Sequence, residues 1–335
     1  MGKKPNFNNL LKVLDKRRPD GPVLFEFFLN NPLYKELAGE DAPAAGSDYE
    51  QPVLITRAFA KAGYDYVNLH ASNFGFPRPE KKRASTLSLN DGACVTDAES
   101  FAAYEWQDPE TADYSHLDIL KNYLEDGMKI IAYGPSGVLE NTINLVGYDN
   151  LCLMVHDDPV LVAKIFDAVG ERLLRTYEIA VKHDAVGAII GNDDWGFNTQ
   201  TMLSPADMRK YVFPWHKKIV AAAHAAGKPA ILHSCGNLKE VMGDVIDDIK
   251  YDGKHSYEDA IQPVEDAYEE LKGKIAVMGG IDVDFICRRT PAEITKRCKA
   301  MFERAESGGY ALGSGNSIPE YVPWDGYFAM INSIY

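Results

Sequence analysis

The sequence predicts an α/β fold, a single TIM-type (β/α)8 barrel with insertions in its first half. Three observations point to it. From about residue 116 onward, short apolar runs ending in Gly, Asp, Ser or His alternate with longer segments of helical period. Over the whole chain such runs number eight, the number that closes this barrel. The 335 residues, 46% hydrophobic and 25% charged, supply enough apolar material for one elaborated core.

In chain order the candidate strands are VLFEFF (23–28), YDYVNLH (64–70), KIIAYG (129–134), VGAIIG (186–191), PAILHS (229–234), YDGKHS (251–256), KIAVMGG (274–280) and YALGSG (310–315). The stretch 71–115 is rich in Pro, Asp, Asn, Ser and aromatics and is too long for an ordinary connection, so it reads as an insertion near the barrel mouth. A second insertion, about 138–183, has helical character. The helix after the fourth run is the best defined. Ser204 is its N-cap, Pro205 its first residue, and Met208, Tyr211, Val212, Trp215, Ile219, Ala222 and Ala223 form one apolar stripe that stops at Gly227. A similar pattern starts at Thr290-Pro291 and runs through Ile294, Cys298, Met301 and Phe302 to Gly308, which places Cys298 in the core. No linker, internal repeat or low-complexity segment divides the chain, so 1–335 reads as one domain.

Charge excludes some partners. Thirty-five Lys and Arg against forty-nine Asp and Glu give a net charge of −14, a field that repels phosphate backbones and anionic lipid. Neither nucleic acid nor a membrane is therefore expected as the main partner. Five scattered cysteines without a CxxC pair favour a reducing compartment and thiols that are buried, ligating or reactive. No apolar run matches a signal-peptide core or the roughly 20 residues of a membrane helix, and a cytoplasmic location is expected.

In a parallel barrel the carboxyl ends of the strands converge on the active-site face, and here those ends are polar. After the fourth run come Asn192, Asp193, Asp194 and Trp195; after the fifth, His233, Ser234, Cys235 and Asn237; around the sixth, His255, Tyr257, Glu258 and Asp259. The seventh ends at Asp282 and the eighth runs into Asn316 and Ser317. Taken singly, Asp282, Ser317 and Asn237 read as strand-end punctuation, since Asp, Asn and Ser cap helices and make turns. Their convergence gives candidate acid–base groups Asp193, Asp194, His255 and Glu258, and candidate substrate-binding residues Glu26, Asn192, Trp195, Tyr257, Asp282 and Asn316. His233 and Cys235, two apart at a strand end, point the same way and are candidate zinc ligands, although a buried thiol beside a hydrogen-bonded imidazole is the plainer reading of an isolated HxC. Glu26 lies within the apolar run Phe25-Glu26-Phe27-Phe28, where an acid needs a partner or a polar lumen. No GxxxxGK[ST], GxGxxG or GxSxG motif is present.

The segments GNDDWG, SPADMRKYVFPWHKK, HAAGKPAILHSCGN, GGID and GGYALGSGNSIP resemble the uroporphyrinogen decarboxylase superfamily, over roughly 186–323. The resemblance implies a TIM barrel and two branches of chemistry. One is decarboxylation of an acid-rich tetrapyrrole clamped by arginines after the first strand. That segment is absent here, where Leu29-Asn30-Asn31-Pro32 follows the acidic Glu26. The other is the cobalamin-dependent methyltransferases of anaerobes, whose His-x-Cys zinc motif falls on His233 and Cys235 and is completed by a cysteine after the last strand. At that position this chain has Asn316, a poor zinc ligand, and Glu258, His255, Glu26 or Cys287 remain as candidate third partners. The resemblance therefore implies a methyltransferase of a corrinoid-dependent demethylation system, O-demethylation included. It would use zinc, a corrinoid on a partner protein and a small methylated or methoxylated substrate. The alternatives are a metal-free decarboxylase of a small carboxylate or tetrapyrrole, and a non-catalytic corrinoid- or tetrapyrrole-binding barrel. Oligomeric state is left open, a homodimer included.

Overall fold

A computed structural model describes residues 4–79 and 88–335. Part of the expected 71–115 insertion, residues 80–87, lies outside the described residues.

Seven strands form one parallel sheet in chain order: β1 Tyr66–His70, β2 Lys129–Tyr133, β3 Val186–Asn192, β4 Ala230–His233, β5 Gly253–His255, β6 Ala276–Met278 and β7 Tyr310–Ala311. Each sits inside one of the expected runs or extends one by a single residue. Their residues are almost all buried, as parallel strands flanked by helices must be.

The first expected strand, 23–28, is not a ladder strand. It meets the end of the sheet through isolated parallel bridges, Leu24 to Leu312 and Leu29 to Ile318, with Phe25 N donating to Leu312 O at 2.7 Å. On its other side, β1 reaches it with side chains. Tyr66 OH and Asn68 Nδ2 donate to the Glu26 carbonyl at 2.8 and 2.7 Å, and Asn68 Nδ2 also donates to Phe27 O at 2.5 Å. These side chains satisfy backbone acceptors that a β ladder would otherwise pair, which is why the pattern reads as a strand and the ladder does not form. In place of the expected eight-stranded barrel, the structure has seven laddered strands and one segment tethered by isolated main-chain bridges on one side and by side chains on the other.

The helix after β3 follows the sequence reading. Ser204 Oγ accepts from Asp207 N at 3.1 Å, Pro205 opens the helix, a wider turn spans Met208–Val212, and Phe213–Ala225 completes it before Gly227 at φ +70°. Thr290 and Glu293 form a reciprocal cap on Pro291–Arg304, and Cys298 is in the core. The helical stretch expected as an insertion holds Val138–Val146, Tyr148–Asp157 and Pro159–Ala180. Its first helix follows β2 through a short turn and so begins at the carboxyl-end face. Among the described residues no helix is long and apolar enough to cross a membrane.

The long helix Pro159–Ala180 packs on Phe213–Ala225 through Gly170. A Cβ built there would fall 2.1 Å from the Trp215 ring. Gly170→Ala gains about 1 kcal/mol of helix propensity, but overpacking costs about 1–3 kcal/mol. We expect a net fall in stability, read as a lower denaturant midpoint without a change in slope.

Candidate active site and metal centre

The site begins with two histidines set side by side by the sheet. The register pairs Asn192 with His233 and His233 with His255, so the last residues of β3, β4 and β5 form one row. His233 Nδ1 and His255 Nδ1 are 2.7 Å apart, and His255 Nε2 is 3.2 Å from the carbonyl oxygen of Ser314. Burial, with the Lys254 charge adding to it, pushes His255 down to about 3 and holds His233 well below the usual imidazole range, the His255 ring also contributing there. Both rings are therefore neutral. Ser314 O can only accept, so His255 Nε2 carries its hydrogen and His255 Nδ1 is bare. His233 Nδ1 must then donate to it, which leaves His233 Nε2 with a free lone pair. That atom faces Cys235 Sγ at 3.9 Å.

Asp194 joins these two. Its Oδ1 accepts from Cys235 N at 2.8 Å, and ligand atoms of Asp194, His233 and Cys235 lie within 4.8 Å of one another. Tetrahedral zinc with bonds of about 2.1 Å to nitrogen and 2.3 Å to sulfur sets these two donors about 3.6 Å apart, close to the 3.9 Å found. The donor set of one imidazole nitrogen, one thiol and one carboxylate suits zinc. Burial first, and then the Asp194 charge, push the Cys235 thiol up to about 12, so a thiolate there would require a cation beside it. Asn316, at the position where the resemblance implies the third ligand, points its Nδ2 at Cys235 Sγ at 3.3 Å. Among the other candidates for third ligand, Glu26 and His255 are engaged with Ser314, and Cys287 lies on the helix Val283–Arg288.

The remaining expected residues divide into two groups. Tyr257, Glu258, Asp282 and Asn316 line one cavity of about 320 Å³, and Tyr257 and Glu258 also line a second of about 160 Å³ with Lys254 and Ser256. Asp282 caps Val283–Arg288 as well, accepting from Phe285 N at 2.9 Å. Burial and the Asp282 charge raise Glu258. Asn192 Oδ1 is buried without a hydrogen-bond partner among the described residues.

Three expected residues sit apart from the cavities. Asp193 is fully buried and accepts from Leu139 N, Glu140 N and His216 Nε2, each at 2.9 Å, so it caps the helix Val138–Val146. The close approach requires Gly137, where a Cβ would fall 2.0 Å from Asp193 Cβ. Trp195, expected to bind substrate, is instead packed into the core against Phe213 and His216, with ring centroids 5.1 and 4.9 Å away, because the helix after β3 presents those side chains to it. Glu26 also has no exposed surface: Ser314 Oγ donates to it at 2.5 Å and Ser314 N at 3.2 Å.

Sequence reasoning missed Glu140 and Lys254. Burial and the charges of Asp193 and Asp194 push Glu140 up to about 8, and Ser136 Oγ donates to it at 2.8 Å. Its signal was available, since it follows the polar end of β2 by a few residues. Lys254 is buried on β5, and burial pushes it down to about 8.

The sequence pattern of the family described as Uroporphyrinogen decarboxylase (URO-D) matches residues 95–335. The chain belongs to the uroporphyrinogen decarboxylase family. The match bears out the resemblance and carries it back some ninety residues beyond the motifs that suggested it. No curated protein matches the chain by sequence. Among solved structures, a methyltransferase from Methanosarcina mazei aligns with a TM-score of 0.69 at 14% identity, over 97% of this chain and 96% of its own. A putative vitamin-B12 independent methionine synthase from Listeria monocytogenes aligns with a TM-score of 0.53 at 11% identity, over 94% and 96%. At these identities the likeness is one of fold. Within the uroporphyrinogen decarboxylase family, the chemistry of this site therefore rests on its own residues.

Glu26 gives a pH signature. Burial pushes its carboxyl up to about 8, against about 4.3 in an unfolded chain. Between those values the folded protein keeps a proton that the unfolded chain has released, so stability falls as pH rises through that window. Glu26→Gln removes the penalty, and we expect its Tm to gain on wild type progressively from pH 5 to pH 8 in thermal melts.

Proposed function

We propose that the protein is the methyltransferase of a corrinoid-dependent demethylation system. In this reading it takes a methyl group from a small methylated or methoxylated substrate and passes it to a corrinoid protein. The observation that carries the reading is the convergence of His233 Nε2, Cys235 Sγ and an Asp194 carboxylate oxygen at the carboxyl ends of the strands. Zinc bound there would act as a Lewis acid on the heteroatom that carries the methyl group, easing the transfer of that methyl to the partner's corrinoid.

The chain's own residues do the rest. His233, Cys235 and Asp194 would hold the ion, while His255 is a positioning residue that fixes which nitrogen His233 presents. Asp193, held by helix amides and His216, anchors the turn that carries Asp194. Glu258 lines both cavities and keeps its carboxyl proton more readily than an exposed glutamate, so it is placed to protonate the demethylated heteroatom. A cytoplasmic setting and a role in anaerobic metabolism belong to the same reading.

Metal analysis of protein purified without a His-tag tests it. We expect about one zinc per chain in wild type, lost in His233→Ala and Cys235→Ala, together with methyl transfer to a corrinoid acceptor. Protein that stays metal-free after zinc is offered overturns the mechanism. His255→Phe removes the acceptor that orients His233 and is expected to weaken zinc binding by about 10- to 100-fold. Asn316→Cys places a second thiol beside Cys235 and is expected to tighten it, both read by competition with a chromogenic chelator.

A further inference from the structure

One buried cation has no role in that account. Lys254 precedes His255 of the histidine row by one residue and is 5% exposed, yet it lines the cavity of about 160 Å³ with Gly236, Ser256, Tyr257 and Glu258. Its ammonium donates to the carbonyl oxygen of Ser256 and lies 4.1 Å from the centroid of the Tyr257 ring. Among the described residues no carboxylate lies within ion-pairing distance of it. An ammonium has three donors, so two are left over. A buried charge left unpaired is costly, and proteins retain such a group where something else completes its shell. The hydroxyls of Ser256 and Tyr257, two walls of the same cavity, are also buried without a hydrogen-bond partner among the described residues. One cation and two hydroxyls are thus left open around a space that holds the volume of about five water molecules at about 30 Å³ each.

We propose that Lys254, Ser256 and Tyr257 form a carboxylate-binding pocket, and that the small substrate of this site is a methylated or methoxylated carboxylic acid. The second half rests on the methyltransferase reading; the first does not. A carboxylate accepts from Lys254 Nζ on one oxygen and from hydroxyls on the other. A dianion such as phosphate fits less well, because Glu258 and Glu270 share the wall and only one buried cation opposes them. Gly236, also in the wall, adjoins Cys235, so an acid held by Lys254 extends its other end toward the metal ligands.

The test measures binding of methoxyacetate and of its neutral analogue 2-methoxyethanol by titration calorimetry. Wild type is expected to prefer methoxyacetate, a comparison that needs no variant. Lys254→Met is expected to weaken methoxyacetate by on the order of 10- to 100-fold, with 2-methoxyethanol and zinc content unchanged. Equal affinity for the two probes in wild type overturns the pocket. So does loss of methoxyacetate binding in Cys235→Ala but not in Lys254→Met, which would assign the carboxylate to a metal ion. Binding that depends on Lys254 in protein that takes up no zinc supports the pocket while the methyltransferase reading fails. Zinc binding and methyl transfer with no preference for the acid fails the pocket and leaves that reading standing.

Discussion

The hydrogen-bonded pair of imidazoles at the ends of β4 and β5 is the constraint on which the site depends. Two rings 2.7 Å apart in an apolar interior hold together only while both are neutral, because a proton on the shared edge would remove the acceptor. Phe25 packs on His255 and Phe27 on His233, with centroids 5.1 and 4.5 Å apart, so the tethered first segment shields the pair from water. Lys254, beside them in sequence, adds a positive charge that further disfavours imidazolium. A single carbonyl, Ser314 O, then sets the direction of the whole chain of bonds and turns the lone pair of His233 toward Cys235. The geometry of the last loop is in this way written into the tautomer of a histidine three strands away.

Two fully buried carboxyls and one half-buried one show how differently the fold accommodates an acid. Asp193 collects two helix amides and an imidazole, partners that suit an anion at a helix N-terminus. Glu26 has the serine at 314 as its side-chain partner and is held as the neutral acid by burial. Glu140 is raised by burial and by two aspartates across the turn from it. An acid's place in an apolar run therefore says little about its charge; the number of donors aimed at it decides.

Much of the fold was legible in the sequence. All seven laddered strands fall within the apolar runs or extend one by a residue, and the Ser204-Pro205 and Thr290-Pro291 helix starts are where their capping chemistry puts them. What misled was local. The run 23–28 has a strand's pattern, yet whether it ladders depended on Tyr66 and Asn68 reaching across with side chains, a tertiary fact with no periodic signal. The site was half legible. His233, Cys235 and Asp194 each stand at a strand end, but that Asp194 rather than its neighbour Asp193 turns toward the thiol follows from Gly137 and the helix amides that claim Asp193. Lys254 was hidden by alternation, since a lysine inside a short strand reads as outward-facing.

Asn316 connects the chemistry to the donor set. The resemblance places a cysteine there, which with Cys235 would give two thiolates and an imidazole. This chain offers one thiolate, one carboxylate and an imidazole, so the formal charge of −2 that balances a divalent ion is kept while one soft donor becomes a hard one. A carboxylate donates less electron density than a thiolate, and an ion held this way is the stronger Lewis acid. The amide of Asn316, donating to Cys235 Sγ, withdraws further density from the remaining sulfur. Such a centre is suited to a weakly basic heteroatom such as an ether oxygen, which needs strong polarisation before it gives up a methyl group. A thiol, by contrast, needs mainly to be deprotonated. The departure at position 316 is in this way consistent with a methoxylated substrate, and it makes Asp194 the residue on which the metal chemistry of the proposed function turns.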